Sequence, residues 1–221
     1  CQMAPWKKCS RQPARQVDMS VSVIAEALGD VQRYFEQLSE IAMQAATMAI
    51  NSTAERKALP DIRAEMREQL SFPSGYLEGS DGSGKKRLSV SRKASKGNPS
   101  AAISGRDRAT SLARFRMPGQ DAKNTRNLGV RVRVKPGYTR TLKKAFLITL
   151  RNGNMGLAVR LKPGDKLANS SAAKLLSNNV YLLYGPSVDQ VFRSVATDVT
   201  PKVLSDVTSE FLRQFARLSR G

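Results

Sequence analysis

Apolar residues recur every three or four positions through the first third of the chain, then every second position through the middle, and the helical spacing returns at the end. Val31, Phe35, Leu38, Ile41, Ala42, Ala45, Met48 and Ala49 make one stripe, which predicts a long helix over residues 20–59 that Pro60 ends. Asp30, Glu36, Glu40 and Glu55 fall on its other faces. A short second helix follows over residues 61–70, with Asp61 in its first turn, and stops before Phe72-Pro73-Ser74-Gly75. The alanines at 42, 45, 46, 49 and 54 keep the stripe narrow, so another element can approach closely. That element is either the chain's own sheet or a neighbouring subunit, with Ala45 and Ala49 as the contacts in the second case.

Gly79-Ser80-Asp81-Gly82-Ser83-Gly84 reads as a flexible linker, after which the period becomes two. Residues 86–92 and 101–103 are predicted strands joined through 93–99. Residues 106–127 lack a period and read as a long loop with one helical turn near 111–115. Over residues 129–135 the valines lie on one face and Arg131, Arg133 and Lys135 on the other; Pro136-Gly137 turns the chain. Residues 145–150 and 156–161 form a hairpin across Arg151-Asn152-Gly153-Asn154. A last strand over 179–184 meets a rigid corner at Gly185-Pro186, and Val188, Val191 and Phe192 share one helical face beyond it. The final helix runs over 201–220, with Thr200 as cap, Pro201 in the first turn, and Leu204, Val207, Phe211, Phe215 and Leu218 on one face.

The predicted fold class is α+β: a long N-terminal helix and a short second one, a central, mostly antiparallel sheet of four or five strands covered on one face by helices, and a C-terminal amphipathic helix. Residues 1–18 read as a basic extended arm and residues 19–221 as a single domain, with helices over 20–70, a basic β region over 81–163, and the last strand and helix over 179–220. There is no internal repeat.

Charge changes this picture. The 221 residues hold 37 Lys+Arg against 18 Asp+Glu, a formal net charge of +19. Residues 81–163 alone carry 21 basic and three acidic side chains, while residues 19–80 carry five basic and nine acidic ones. An excess so localised acts on a polyanion by phosphate neutralisation and counterion release. The contact candidates are Lys85, Lys86, Arg87, Arg92, Lys93 and Lys96 on the first hairpin and Arg131, Arg133 and Lys135 on the alternating strand, facing DNA or an acidic partner. A merely solvated basic surface is the plain alternative. Aromatic residues are sparse in the block, which favours contact with a duplex backbone over base stacking.

The residue inventory removes most catalytic chemistry. The chain has no histidine, and Cys1 and Cys9 lack metal-ligand spacing, which excludes a thiol-imidazole zinc site and every Ser-His or Cys-His nucleophile pair. Gly79 to Lys86 matches the phosphate-loop spacing, but Lys86 stands where a magnesium-holding Ser/Thr belongs. Asp81, Asp107 and Asp121, the acids of the basic block, show no nuclease clustering, and Tyr181 and Tyr184 with Arg160 or Arg193 are only a weak echo of a tyrosine recombinase. Asn51-Ser52-Thr53 and Asn169-Ser170-Ser171 are bare glycosylation triplets. Without a transmembrane run or signal peptide, the expectation is a soluble, non-enzymatic protein made in the cytoplasm, with no cofactor and no membrane partner.

Three stretches carry a resemblance: residues 45–54 (AATMAINSTA), Ala145-Phe146-Leu147 followed by Arg151-Asn152-Gly153, and Tyr184-Gly185-Pro186-Ser187-Val188-Asp189-Gln190-Val191-Phe192. In these and in the order of its elements the chain resembles the bacteriophage tail-completion proteins called prophage minor tail protein Z. The resemblance implies a structural virion protein of the neck or upper tail that finishes the head-proximal end of the tail. It implies a homo-oligomeric ring, six-fold to match the tube. The implied neighbours are the tail tube or tail terminator protein, the head–tail connector or portal-side neck proteins, and genomic DNA in the lumen. Tyr184, Gly185, Pro186, Val188, Val191 and Phe192 are then either a subunit contact or ordinary corner packing. Six basic blocks would present on the order of a hundred positive charges to the duplex. The other functional reading is a free-standing, non-sequence-specific DNA-binding protein, which would act alone.

Overall fold

The computed structural model describes residues 40–123, 128–162, 165, 167 and 172–220. The basic arm, residues 20–39 of the predicted first helix, and the Asn169 triplet lie outside the described residues.

Helix α1 (Glu40–Thr53), a π-turn (Ala54–Ala58) and helix α2 (Leu59–Gln69) follow one another without a break. The stop predicted at Pro60 does not occur. A proline ring clashes with the carbonyl four residues back in a regular α-helix. Here the Leu59 N–H reaches back five residues to the Ala54 carbonyl, and this wider turn lets Pro60 enter the first turn of α2.

The strands form three antiparallel groups. β1 (Leu88–Arg92) pairs with β2 (Ala102–Gly105), and β4 (Val130–Val132) pairs with β5 (Arg140–Leu142). The five-stranded sheet is built on β9 (Val180–Ser187), whose first half lies between β7 (Met155–Arg160) and β8 (Ala173–Ser177) and whose end pairs with β3 (Ala109–Ser111). β6 (Ala145–Thr149) flanks β7, joined by the hairpin predicted across 151–154. A 3-10 turn, Leu112–Phe115, stands where a helical turn was predicted in the long loop. β3, β5 and β8 were not predicted.

Gly185-Pro186 is not a corner. β9 runs through both residues, and the register with β3 shifts between Ala109 opposite Ser187 and Thr110 opposite Gly185, leaving Pro186 as the unpaired residue of a bulge. A bulge tolerates a residue without an N–H. Helix α3 then starts at once and spans Val188–Leu218, thirteen residues ahead of the predicted Pro201 start. Ser187 and Gln190 close a capping box at its head, and Pro201 sits exposed inside it.

The main core joins Leu59, Ile62 and Met66 of α2, Phe72, Tyr76 and Leu77 of the following loop, Leu88 and Ile103 of the first hairpin, Phe115, and six α3 residues from Val188 to Val203. The fold is α+β as predicted, but the single expected sheet is divided into three antiparallel groups, and the helices rest on the β1–β2 hairpin. A second cluster packs Ala113, Val130 and Val132 against Ala145, Leu147 and Leu157, seating the β4–β5 ribbon on β6 and β7. α1 lies along α3, its alanines 42, 45, 46 and 49 buried.

Candidate nucleic-acid interface

The first hairpin is anchored to the helices by charge and by one amide. Asn51 donates from Nδ2 to the Ala94 carbonyl at 3.0 Å and accepts the Ala94 N–H at Oδ1 at 2.8 Å, as a neighbouring strand would. Lys93 Nζ lies 2.6 Å from Glu55 Oε1, and Lys96 Nζ lies 2.6 Å from Glu40 Oε1. These lysines hold both carboxyls below their usual pKa, chiefly by direct hydrogen bonding. Arg92 is exposed and donates to Ser100 at 3.1 Å. Lys85 and Lys86 are exposed at the foot of the hairpin, with Lys86 near enough to Glu55 to favour its ionised form.

Arg87 is a correction. Its side chain is 5 % exposed, stacked 4.0 Å over the Tyr76 ring, so it cannot meet a polyanion. Nη1 donates to the Tyr76 carbonyl at 2.6 Å and lies 3.1 Å from Asp81 Oδ2, while Nη2 donates to Ser83 Oγ at 3.0 Å. Asp81 in turn accepts from Ser83 Oγ and N–H, which together with Arg87 holds its carboxyl down to about 2. The supposed flexible linker is therefore a pinned turn. Gly79 is needed in it: φ is +84°, and a β-carbon there would lie 2.7 Å from the backbone of Lys85 and Lys86. The segment leads into β1 and not into a helix, so the phosphate-loop spacing has no phosphate-loop geometry.

The β4–β5 ribbon presents its cations differently. Val130 and Val132 are buried while Arg131 and Arg133 are exposed, as the alternation requires, and Lys135 is exposed at the bend beyond. Both edges of β4 are occupied. β5 takes one, and on the other Met117 N–H donates to the Arg131 carbonyl at 2.9 Å and Arg133 N–H to the Phe115 carbonyl at 2.8 Å. Gln120 completes this edge: its Oε1 accepts the Arg131 N–H at 2.8 Å and its Nε2 donates to the Arg131 carbonyl at 2.9 Å. Arg131 stands opposite Thr141, and Arg133 Nε donates to Thr139 Oγ1 at 3.3 Å. Residues 135–141 form an exposed tip carrying Tyr138, which is 64 % exposed, and Arg140. Thr139, Arg140 and Thr141 were missed because β5 is short and shows no apolar alternation of its own, and Gln120 because it lies in a loop without a period.

Among the described residues no carboxylate is ion-paired to Arg131, Arg133, Lys135, Lys85, Lys86 or Arg92. The described residues hold no group of three or more His, Cys, Asp or Glu side chains able to take a metal ion, and no described helix is long and apolar enough to cross a membrane.

The subunit-contact candidates divide as well. Ala45, Ala49, Val188, Val191 and Phe192 are buried inside the chain and have no surface to offer a neighbour. Tyr184, Gly185 and Pro186 are half-buried and line an open cleft of about 460 Å³ with Ala109, Ala173, Lys174 and Gln190. Beside it runs β8, where Leu175 and Leu176 are exposed although both are large and apolar. Comparison with protein-family models, curated proteins and solved structures finds no match to this chain.

Proposed function

We propose that the protein is a structural component of a bacteriophage virion that completes the head-proximal end of the tail and joins it to the capsid connector as a homo-oligomeric, six-fold ring whose basic surface faces the genomic DNA. The observation that carries this reading is the β4–β5 ribbon, an exposed, rigidly braced face of cations with no carboxylate partner among the described residues, in a block of 21 basic and three acidic residues. Such a face attracts a polyanion without reading its sequence. Subunit contact then falls to β8, with Leu175 and Leu176, and to the cleft at Tyr184, Gly185 and Pro186. The tail tube or terminator protein would lie on one side of the ring and the portal-side neck proteins on the other.

A symmetry-resolved density map of intact particles tests the proposal. The expected result is a ring at the head–tail junction with Arg131 and Arg133 turned to the lumen. A ring with them turned outward retains the assembly role and removes the DNA contact. Absence from particles leaves the second reading, a free-standing non-specific DNA-binding protein, which the completeness of the basic face within one chain favours.

A further inference from the structure

The outward face of the β4–β5 ribbon is composed of donors. Arg131 stands opposite Thr141 and Arg133 reaches Thr139, so two guanidinium groups and two hydroxyls share one face, with Lys135 beyond them. Guanidinium groups and hydroxyls are the side chains that take phosphate oxygens. Arg131 and Arg133 are next neighbours on this face, and same-face residues on a strand lie about 6.8 Å apart. Successive phosphates of one duplex strand rise about 3.4 Å along the axis and stand about twice that apart once their path round the helix is counted. The face is also fixed in advance, because Gln120 and Met117 hold the Arg131 backbone from one side and β5 from the other. We propose that this face tracks the backbone of one strand of duplex DNA, Arg131 and Arg133 meeting successive phosphates, with the Thr139 and Thr141 hydroxyls donating to the same groups and Lys135 adding its charge from the bend. This rests on the DNA-facing part of the proposed function and narrows it. The ribbon, and not the hairpin lysines Lys93 and Lys96 that Glu55 and Glu40 already neutralise, makes the contact.

The test is the salt dependence of binding of the full chain to a labelled duplex of about 25 base pairs, in two unrelated sequences. Each neutralised phosphate contributes a slope of about −0.9 to log K against log[salt]. Arg131→Ala and Arg133→Ala should each flatten the slope by about one and the double variant by about two, equally for both sequences, while Arg131→Lys retains the slope. Lys93→Ala and Lys96→Ala should flatten it far less. All four side chains are exposed, and an unchanged melting temperature shows that a lost slope is not a lost fold. If the unaltered protein binds duplex but the ribbon variants keep its slope, or the hairpin variants lose as much, the ribbon assignment is overturned and the DNA-facing reading survives. If the unaltered protein fails to bind duplex even at low salt, the DNA-facing reading itself falls, and an acidic protein surface replaces it as the ribbon's partner.

Discussion

Arg87 and Asp81 form a buried ion pair that the charge pattern of the chain conceals: Nη1 and Oδ2 lie 3.1 Å apart, with both side chains less than a tenth exposed. One of the 21 cations in the basic block is thus structural. Removing one member of such a pair leaves the other uncompensated in a poor solvent for charge. Asp81→Ala should cost about 3 kcal/mol in denaturant unfolding, at the low end for a buried pair because Arg87 keeps the Tyr76 carbonyl and the Ser83 hydroxyl. A loss below about 1 kcal/mol would mean that the pair is solvated.

Acid should act through the same carboxyl. Asp81 is held down to about 2, and so is Glu210, which Arg213 grips with two nitrogens and Gln214 with a third. A carboxyl whose folded pKa lies below its unfolded value stabilises above the unfolded pKa and ceases to do so as pH falls through the folded one. Stability should therefore be level with respect to these groups above pH about 5 and decline between about 4.5 and 2. In the Asp81→Asn, Glu210→Gln double variant, the unfolding midpoint should be lower at neutral pH and its decline shallower through that window. An acid limb as steep as the original would locate the protons elsewhere.

What the sequence showed depended on burial. The Val130, Arg131, Val132, Arg133 alternation was legible because one face of β4 meets Leu147 and Leu157 while the other meets water. β8 gave no such signal, since Lys174, Leu175, Leu176 and Ser177 are all exposed; its only mark was Asn178-Asn179, whose positive φ values of 38° and 62° make the two-residue turn into β9. At Ser187 the information was present and misweighted. Ser187-Val188-Asp189-Gln190 is a capping box, but Gly185-Pro186 just before it and Thr200-Pro201 after it are stronger breakers by composition, and tertiary pairing overrode both. Nothing in a charge count could separate Arg87 from its exposed neighbours, because its partner lies in a glycine-rich turn with no period.

Ser187 accepts the Gln190 N–H at 3.0 Å while Gln190 Oε1 accepts the Ser187 N–H at 2.9 Å. This places the start of α3 at the end of β9. Ser187→Ala should cost about 1 kcal/mol in thermal or denaturant unfolding. The equivalent loss would appear at Thr200→Ala only if the helix began at Pro201.

Pro201 gives the converse case. It is exposed within α3, has no N–H to donate, and is flanked by Thr200, whose hydroxyl donates to the Ala196 carbonyl at 2.7 Å. A proline inside a helix costs about 3 kcal/mol against alanine, and less where a helix can bend around it. Pro201→Ala should raise stability by about 2 kcal/mol. A fall would show that the buried Val199 and Val203 pack only on a bent helix.

The two basic hairpins are held by the same device, a side-chain amide acting as a strand: Asn51 on Ala94 and Gln120 on Arg131. In the first hairpin the amide is joined by the Lys93–Glu55 and Lys96–Glu40 pairs, both exposed. Exposed pairs contribute little and are screened by salt. The amide exchanges two hydrogen bonds with half-buried backbone and is not screened. Asn51→Ala should therefore cost about 2 kcal/mol at any ionic strength. Lys93→Ala and Lys96→Ala should each cost far less, and nothing in molar salt. Hydrogen exchange at the Ala94 amide reads the difference directly: protection is lost in Asn51→Ala and retained in both lysine variants. Protection lost equally in all three would make the ion pairs, and not the amide, the anchor of the hairpin.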